Sequence, residues 1–158
     1  MQREALSQAA LLYEKSGDVA KTVATLESYV KRYPQPFDAA LEARQKLADL
    51  AQQRGDASRR AALLEDIIRS DQGAGGARTD RSRYLAAKAS LELALPTRDA
   101  FNSIQLVLPL KKSLEAKRTA LQRALKAFEA ADAYAIAEVS TAATFEMAEL
   151  YRHLRRTC

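Results

Sequence analysis

The chain has 158 residues, of which 47% are hydrophobic, 28% are charged and only five are glycine. Ala, Leu, Glu, Lys, Arg and Gln predominate, and no segment alternates β-branched with polar residues, so the composition predicts an all-α protein. The sequence excludes a membrane-spanning helix, because it contains no run of about 18 apolar residues. Its first residues lack the basic start and the cleavage site of a signal peptide.

The net charge of +5 arises entirely in the second half of the chain. Residues 1–75 contain 11 basic and 11 acidic side chains, whereas residues 76–158 contain 14 basic and 9 acidic ones. This asymmetry is the only feature of the composition that points to a partner.

The first half of the chain consists of predicted helices separated by short breaks. The apolar spacing predicts a helix from about Arg3 to Ser16 and a second helix that ends at Tyr33. Gly17 ends the first helix, because glycine adopts the left-handed conformation at low cost. Asp18 caps the second, because its carboxylate can accept hydrogen bonds from the free N–H groups of the first turn. A break this short forces the helices to fold back as an antiparallel hairpin.

The same break returns further along the chain, at Gly55-Asp56. The pattern therefore predicts a second hairpin, formed by a helix over about residues 37–54 and another helix after the break.

A glycine-rich stretch separates the two halves of the chain. Three of the five glycines fall within residues 71–79, and we predict a flexible loop at residues 75–79. Beyond it, helical spacing predicts a long helical region from about Asp80, then helices over about residues 110–130 and 133–155.

Pro96 lies in the middle of the long helical region. The apolar stripe keeps its phase past the proline as far as Val107, which favours a single helix kinked at Pro96. The alternative is two helices, with Thr97 as the N-cap of the second. In either case we expect Val107, like Leu114 on the next helix, to face the core.

The pattern of helices and breaks in the first half resembles the tetratricopeptide repeat. This repeat is a helix–turn–helix unit of about 34 residues with the pattern W-x2-L-G-x2-Y, then A-x3-F, then P. The first unit matches at every spacing, and the second is the weaker match. The residues of the first unit are Leu6-x2-Ala9-Ala10-x2-Tyr13, Thr22-x3-Leu26 and Pro34. Those of the second are Arg44-x2-Leu47-Ala48-x2-Ala51 and Arg60-x3-Leu64, with Gln72 where the proline belongs.

The resemblance implies a right-handed superhelical stack of antiparallel helical hairpins with about seven helices. The two repeats would occupy residues 3–36 and 41–74, and residues 80–158 would form longer, divergent hairpins of the same solenoid. The style of the first unit resembles that of repeat proteins of the Gram-negative cell envelope. This implies a place in the periplasm or cell envelope rather than the cytoplasm.

Proteins of this family bind partner proteins or peptides on a concave surface lined by the first helix of each unit. The resemblance therefore implies a polar, mildly acidic groove here, and we expect it to bind polar or basic peptide segments. The implied groove residues are Glu4, Ser7, Leu11, Glu14, Glu42, Gln45, Asp49 and Gln52.

The alternative hypothesis concerns basic residues of the helix predicted over 110–130. Such a patch could bind nucleic acid or an anionic membrane. No aromatic residues interleave with the basic ones, which makes nucleic acid the less expected partner, and a solvated face is the simpler interpretation. The basic patch comprises Lys111, Lys112, Lys117, Arg118, Arg123 and Lys126.

No arrangement typical of an active site occurs in the sequence. The single histidine, His153, is expected on the surface, and the single cysteine, Cys158, is expected to be unreactive. The HExxH, CxxC, GxSxG and Walker motifs are absent. The sequence therefore predicts no catalytic residue, no metal site and no cofactor, and it favours a non-enzymatic scaffold for protein–protein interaction.

The last predicted helix remains amphipathic to its end, whereas repeat arrays usually close with a polar capping helix. We therefore expect the chain to be a segment of a longer protein. Phe145 and Tyr151 lie off the main apolar stripe of this helix, so we expect them to pack either against a following helix of the longer protein or, by self-association, against a second copy of the chain.

Overall fold

The structure, a computed structural model, describes residues 1–157, and these form seven α-helices with no strand among them. The predicted all-α fold is confirmed, whereas the expectation for the thiol of Cys158 falls outside the described residues. The helices are α1 (Gln2–Lys15), α2 (Val19–Arg32), α3 (Phe37–Gln53), α4 (Ala57–Gln72), α5 (Asp80–Ser103), α6 (Leu110–Asp132) and α7 (Ala137–Thr157).

The chain packs as two compact units, Met1–Ala86 and Ala87–Cys158, so the division falls within α5. The first unit contains α1 to α4 and the start of α5. The second contains the remainder of α5 with α6 and α7. The predicted loop at residues 75–79 holds a short 3₁₀ turn, Gly75–Ala77. The predicted division into two repeats before this loop and longer hairpins after it stays a prediction, because the boundaries of sequence repeats and of compact units need not coincide.

Two equivalent breaks shape the first unit. Gly17 and Gly55 both adopt left-handed backbone conformations, with φ of +76° and +72°. Asp18 Oδ1 then accepts a hydrogen bond from the backbone N–H of Lys21 at 3.0 Å, and Asp56 Oδ1 accepts the equivalent bond from Arg59 at 2.9 Å. Glycine and aspartate thus perform the predicted tasks of ending one helix and starting the next.

The two hairpins pack against each other through α2 and α3. Leucine and isoleucine side chains fill the space between the helices, and Leu41, Leu64 and Ile67 have no exposed surface. Two ion pairs join the first hairpin to the second at the same sequence separation of 32 residues. They link Glu14 on α1 to Lys46 on α3, and Glu27 on α2 to Arg59 on α4.

A buried carboxylate fixes the start of α5 within the first unit. Asp71, near the end of α4, has no exposed surface. Its Oδ1 accepts a hydrogen bond from Ser82 Oγ at 2.7 Å, and its Oδ2 accepts one from Arg78 Nε at 2.9 Å. Thr79 and Ser82 exchange reciprocal bonds, in which each backbone N–H donates to the other's hydroxyl. This network satisfies the carboxylate together with one of the first N–H groups of α5, that of Ser82.

The helix α5 runs through Pro96 without a break, so the single-helix interpretation is correct and the two-helix alternative is wrong. The hydroxyl of Thr97 donates to the carbonyl of Ala94 at 2.6 Å and does not act as an N-cap. The helix nevertheless ends at Ser103, earlier than the apolar stripe predicted.

Two expected core residues of the second unit are exposed. Val107 lies beyond the end of α5 and exposes 58% of its surface, and Leu114, in the second turn of α6, exposes 37%. The expectation that they face the core is therefore wrong. Periodicity identifies the apolar side of a helix, but it does not show how far along the helix a neighbour covers that side.

The core of the second unit lies between α6, α7 and the second part of α5. Phe101 and Phe128 have no exposed surface and are surrounded by Leu121, Ala143 and Leu150. α7 begins at Ala137 and not at 133, because Ala135 adopts a left-handed φ of +55° that interrupts the helix.

We predict that Asp71→Ala lowers the free energy of unfolding by about 2 kcal/mol, because it removes the buried carboxylate that accepts hydrogen bonds from the Ser82 hydroxyl and from Arg78. Urea denaturation followed by circular dichroism measures the change. Asp66→Ala is the control, since its pair with Arg69 is exposed and should contribute less than about 1 kcal/mol. Equal losses in the two variants would contradict the role assigned to the buried network.

Candidate functional site

A groove opens in the first unit between α1, α2 and α3. Its volume is about 530 Å³, within the range of roughly 300–1,000 Å³ that is typical of ligand sites. Most of its lining is apolar and comes from all three helices. The apolar lining residues are Leu6, Ala10 and Leu11 on α1, Leu26 and Tyr29 on α2, and Ala39 and Ala43 on α3.

Five of the eight predicted groove residues line this cavity, namely Ser7, Leu11, Glu42, Gln45 and Asp49. The helical spacing of three and four residues brings them to one side of α1 and of α3.

The other three predicted residues do not line the groove. Glu14 lies next to it, since its carboxylate pairs with the lining residue Lys46. Glu4 instead pairs with Arg3 and the N-terminal amine, and these hydrogen bonds and charges lower the pKa of its carboxyl. Gln52 is exposed on α3 beyond the edge of the groove.

The acidic residues around the groove differ in their partners. Glu42 accepts a hydrogen bond from Arg81 Nε at 2.5 Å, and Glu14 is paired with Lys46. Asp49 is exposed and accepts only a neutral hydrogen bond, from Gln45 Nε2 at 3.1 Å. Within residues 1–157 no lysine or arginine pairs with Asp49. The groove therefore carries one carboxylate whose charge is not compensated locally.

Gln45 is the other unusual polar group of the groove wall. It exposes only 7% of its surface, and its Oε1 is buried without a hydrogen-bond partner. The bond from its Nε2 to Asp49 fixes which end of the amide is which, because the opposite orientation would place two acceptors together. A buried acceptor without a donor costs about 1–3 kcal/mol.

The sequence did not indicate the apolar floor of the groove. In the sequence, Leu6, Ala10 and Leu26 are positions of the repeat pattern, which does not distinguish packing within a hairpin from the lining of a groove. Part of the signal was present, since Ala10 on α1 and Ala43 on α3 are small residues in the wall of the space between the two hairpins.

One of the six residues of the predicted basic patch on α6 is buried. Lys111, Lys112, Arg118, Arg123 and Lys126 are exposed as expected. Lys117 has no exposed surface, so its assignment to a surface patch is wrong. It lies four residues before Leu121 and therefore on the core side of α6.

The buried ammonium group of Lys117 is held by three contacts. Its Nζ donates to the carbonyl of Ile104 at 2.8 Å, lies 4.7 Å from the centre of the Phe101 ring, and is 3.4 Å from Nε2 of His153. The bond to a carbonyl and the position near an aromatic ring are both favourable for a cation.

The expectation that His153 lies on the surface is also wrong. It is partly buried, with its ring 5.5 Å from that of Phe101 in an edge-on arrangement. Burial lowers the pKa of His153, and the nearby charges of Lys117 and Arg156 lower it further. Phe145 and Tyr151 on α7 are 61% and 53% exposed, and self-association through them stays a prediction.

No helix in the described part of the chain is both long and apolar enough to cross a membrane. Comparison with models of protein families, with curated proteins and with solved structures gives no match. A function must therefore be inferred from the geometry of this chain's own residues.

We predict that the free energy of unfolding decreases as the pH falls from 7.5 to 5.5. The unfolded chain regains the ordinary histidine pKa of about 6.5, so it takes up a proton before the folded chain does. The contribution of His153 to the free energy of unfolding is fully present above the unfolded pKa and decreases as the pH falls below it. The decrease levels off below the folded pKa of His153.

The matched control is His153→Gln, which removes the only histidine of the chain. Urea denaturation at both pH values should show a much smaller difference for this variant. If the variant and the unchanged protein lose the same stability on acidification, the burial of His153 does not cause the effect.

Proposed function

We propose that the chain is a non-enzymatic protein-interaction scaffold, and that its first unit binds an extended peptide segment of a partner in the groove between α1, α2 and α3. The observation that carries this proposal is the combination of an apolar floor with one uncompensated carboxylate, Asp49, at the edge.

The floor and the edge select different parts of the ligand. The space over Leu6, Leu26 and Tyr29 can hold one or two apolar side chains, whose burial removes apolar surface from water. Leu11 is 41% exposed and extends this apolar surface toward the opening. Asp49 then favours a lysine or arginine close to the apolar anchor, because the two charges attract at short range.

The helices that form the groove already pack together before any ligand binds, α1 against α2 and α2 against α3. The pair of Glu14 with Lys46 links α1 to α3, and the pair of Glu42 with Arg81 links α3 to α5. A site formed by fixed helices loses little conformational freedom on binding, so more of the contact energy appears as affinity. The same pairs neutralise two of the three acids, which leaves Asp49 as the point of charge recognition.

Gln45 supports an extended ligand over a compact one. Its Oε1 lacks a donor, and an extended peptide presents backbone N–H groups that need acceptors. A backbone N–H of the ligand that reached this acceptor would satisfy it.

The resemblance of the two Gly-Asp breaks to those of tetratricopeptide repeats supports the same function, since arrays of helical hairpins present extended binding surfaces. From this resemblance we further propose that the chain acts within a complex of the bacterial cell envelope.

We predict that a display library of random dodecapeptides, panned against the full chain, yields peptides in which an aliphatic or aromatic residue lies within a few positions of a lysine or arginine. For a selected peptide, Asp49→Lys should weaken binding about tenfold or more, which corresponds to about 1.4 kcal/mol. Leu11→Asp should weaken it as well. Isothermal titration calorimetry measures both effects.

Glu65→Lys is the matched control, because it makes the same charge change at an exposed position of α4 that does not line the groove. It should leave the affinity within about twofold, as expected of a distant, screened surface charge. Enrichment of acidic peptides, or equal effects of Asp49→Lys and Glu65→Lys, would overturn the proposed site.

A further inference from the structure

An exposed apolar cluster lies where α5 is connected to α6. Val107, Leu108, Leu110 and Leu114, here called the apolar tip, expose 58%, 88%, 52% and 37% of their surfaces. Four large apolar side chains so close together in the sequence are more than the scattered exposure that is normal for a surface. Clusters of this kind mark sites of interaction with a protein or a membrane.

Hydrogen bonds hold the backbone of this segment in a defined shape. Ser113 Oγ donates to the carbonyl of Val107 at 2.7 Å and accepts from its N–H at 3.2 Å. Just before the tip, the buried Lys117 binds the carbonyl of Ile104 at 2.8 Å. The tip is thus anchored at its first residue and just before it, and its apolar side chains are presented by a fixed backbone.

Basic residues lie directly after the apolar ones in the sequence. Lys111, Lys112 and Arg118 are exposed, and Glu115 is the only acid between Ile104 and Arg118. The first turn of α6 contains no acidic residue. Lysines at a helix N-terminus are unfavourable next to the positive end of the helix dipole, so helix stability does not explain them.

We infer that the apolar tip inserts into the interface of an anionic lipid bilayer while Lys111, Lys112 and Arg118 contact the lipid head groups. Apolar side chains gain free energy in the acyl boundary, and adjacent lysines and arginines gain it at the negative surface. This inference concerns the second unit only and does not depend on peptide binding by the first.

The same observations disfavour two other occupants. Nucleic acid would use the cations but would leave four apolar side chains in water, and no aromatic residue is present between residues 102 and 118 to stack on bases. A second copy that met this face symmetrically would bring two sets of the same cations together. An anionic bilayer satisfies the apolar and the basic residues at once.

The test uses the absence of tryptophan from the chain. Leu108→Trp creates a single fluorescent reporter at the most exposed residue of the tip. With vesicles of phosphatidylcholine and phosphatidylglycerol in a two-to-one ratio, its emission should shift to shorter wavelength and be quenched by lipids brominated in their acyl chains. With vesicles of phosphatidylcholine alone, both effects should be much weaker.

Tyr151→Trp is the matched reporter, because it places tryptophan at an exposed position of α7 in the same unit. Its emission should not shift. In the Leu108→Trp background, Lys111→Gln and Lys112→Gln should each lower the partition coefficient about fivefold. Arg123→Gln and Lys126→Gln, further along the same helix, should each change it by less than about twofold, because their charges lie farther from the bilayer and are screened. Circular dichroism verifies that every variant remains helical.

Several results would overturn the inference. One is failure of the full chain to partition onto anionic vesicles at low salt, and another is binding without a blue shift at Leu108→Trp, which would mean adsorption by charge alone. An equal shift at Tyr151→Trp would assign insertion to another surface. Tight binding of an oligonucleotide, or a dimer in sedimentation that Leu108→Ser abolishes, would assign the tip to nucleic acid or to a second copy.

Discussion

The first unit depends on one repeated constraint, a left-handed glycine followed by a capping aspartate. Gly17-Asp18 and Gly55-Asp56 each reverse the chain within two residues, so two hairpins form with the same geometry. Because the breaks occupy equivalent positions in the two hairpins, equivalent faces of α1 and α3 border one space, and the ion pair of Glu14 with Lys46 links the two helices there. The groove is the consequence of this register.

Each unit contains one fully buried charged side chain, Asp71 in the first and Lys117 in the second. Asp71 is neutralised by Arg78 and bonded to Ser82, so it joins α4 to the start of α5 at the cost of its desolvation. Lys117 has no carboxylate among its described contacts and relies on a carbonyl, an aromatic ring and the partly buried His153. Through the carbonyl of Ile104, it also fixes the segment from which the apolar tip projects.

The sequence was sufficient for features that depend on local chemistry. The helices and the two breaks follow from spacing and capping, whereas the resemblance to the repeat implied the side of α1 and α3 on which Ser7, Leu11 and Asp49 lie. It was insufficient where burial depends on a neighbour that spacing does not identify. Lys117 shares a side of α6 with Leu121, but its charge indicated the surface, and Leu114 shares that side without being covered. The groove beside Ala10 and Ala43 likewise could not be read from the sequence, because it forms only when the two hairpins pack together.

The most direct test of the central claim is an amide chemical-shift map of the ¹⁵N-labelled full chain, titrated with a lysine- and leucine-containing peptide chosen from the display selection. Binding in the groove predicts that the largest shifts fall on residues 6–11 of α1, on Leu26 and Tyr29, and on residues 39–49 of α3. Asp49 and Gln45 should be among the most affected, since their hydrogen bond lies at the recognition point. Shifts confined to α4 or to the second unit would contradict the account.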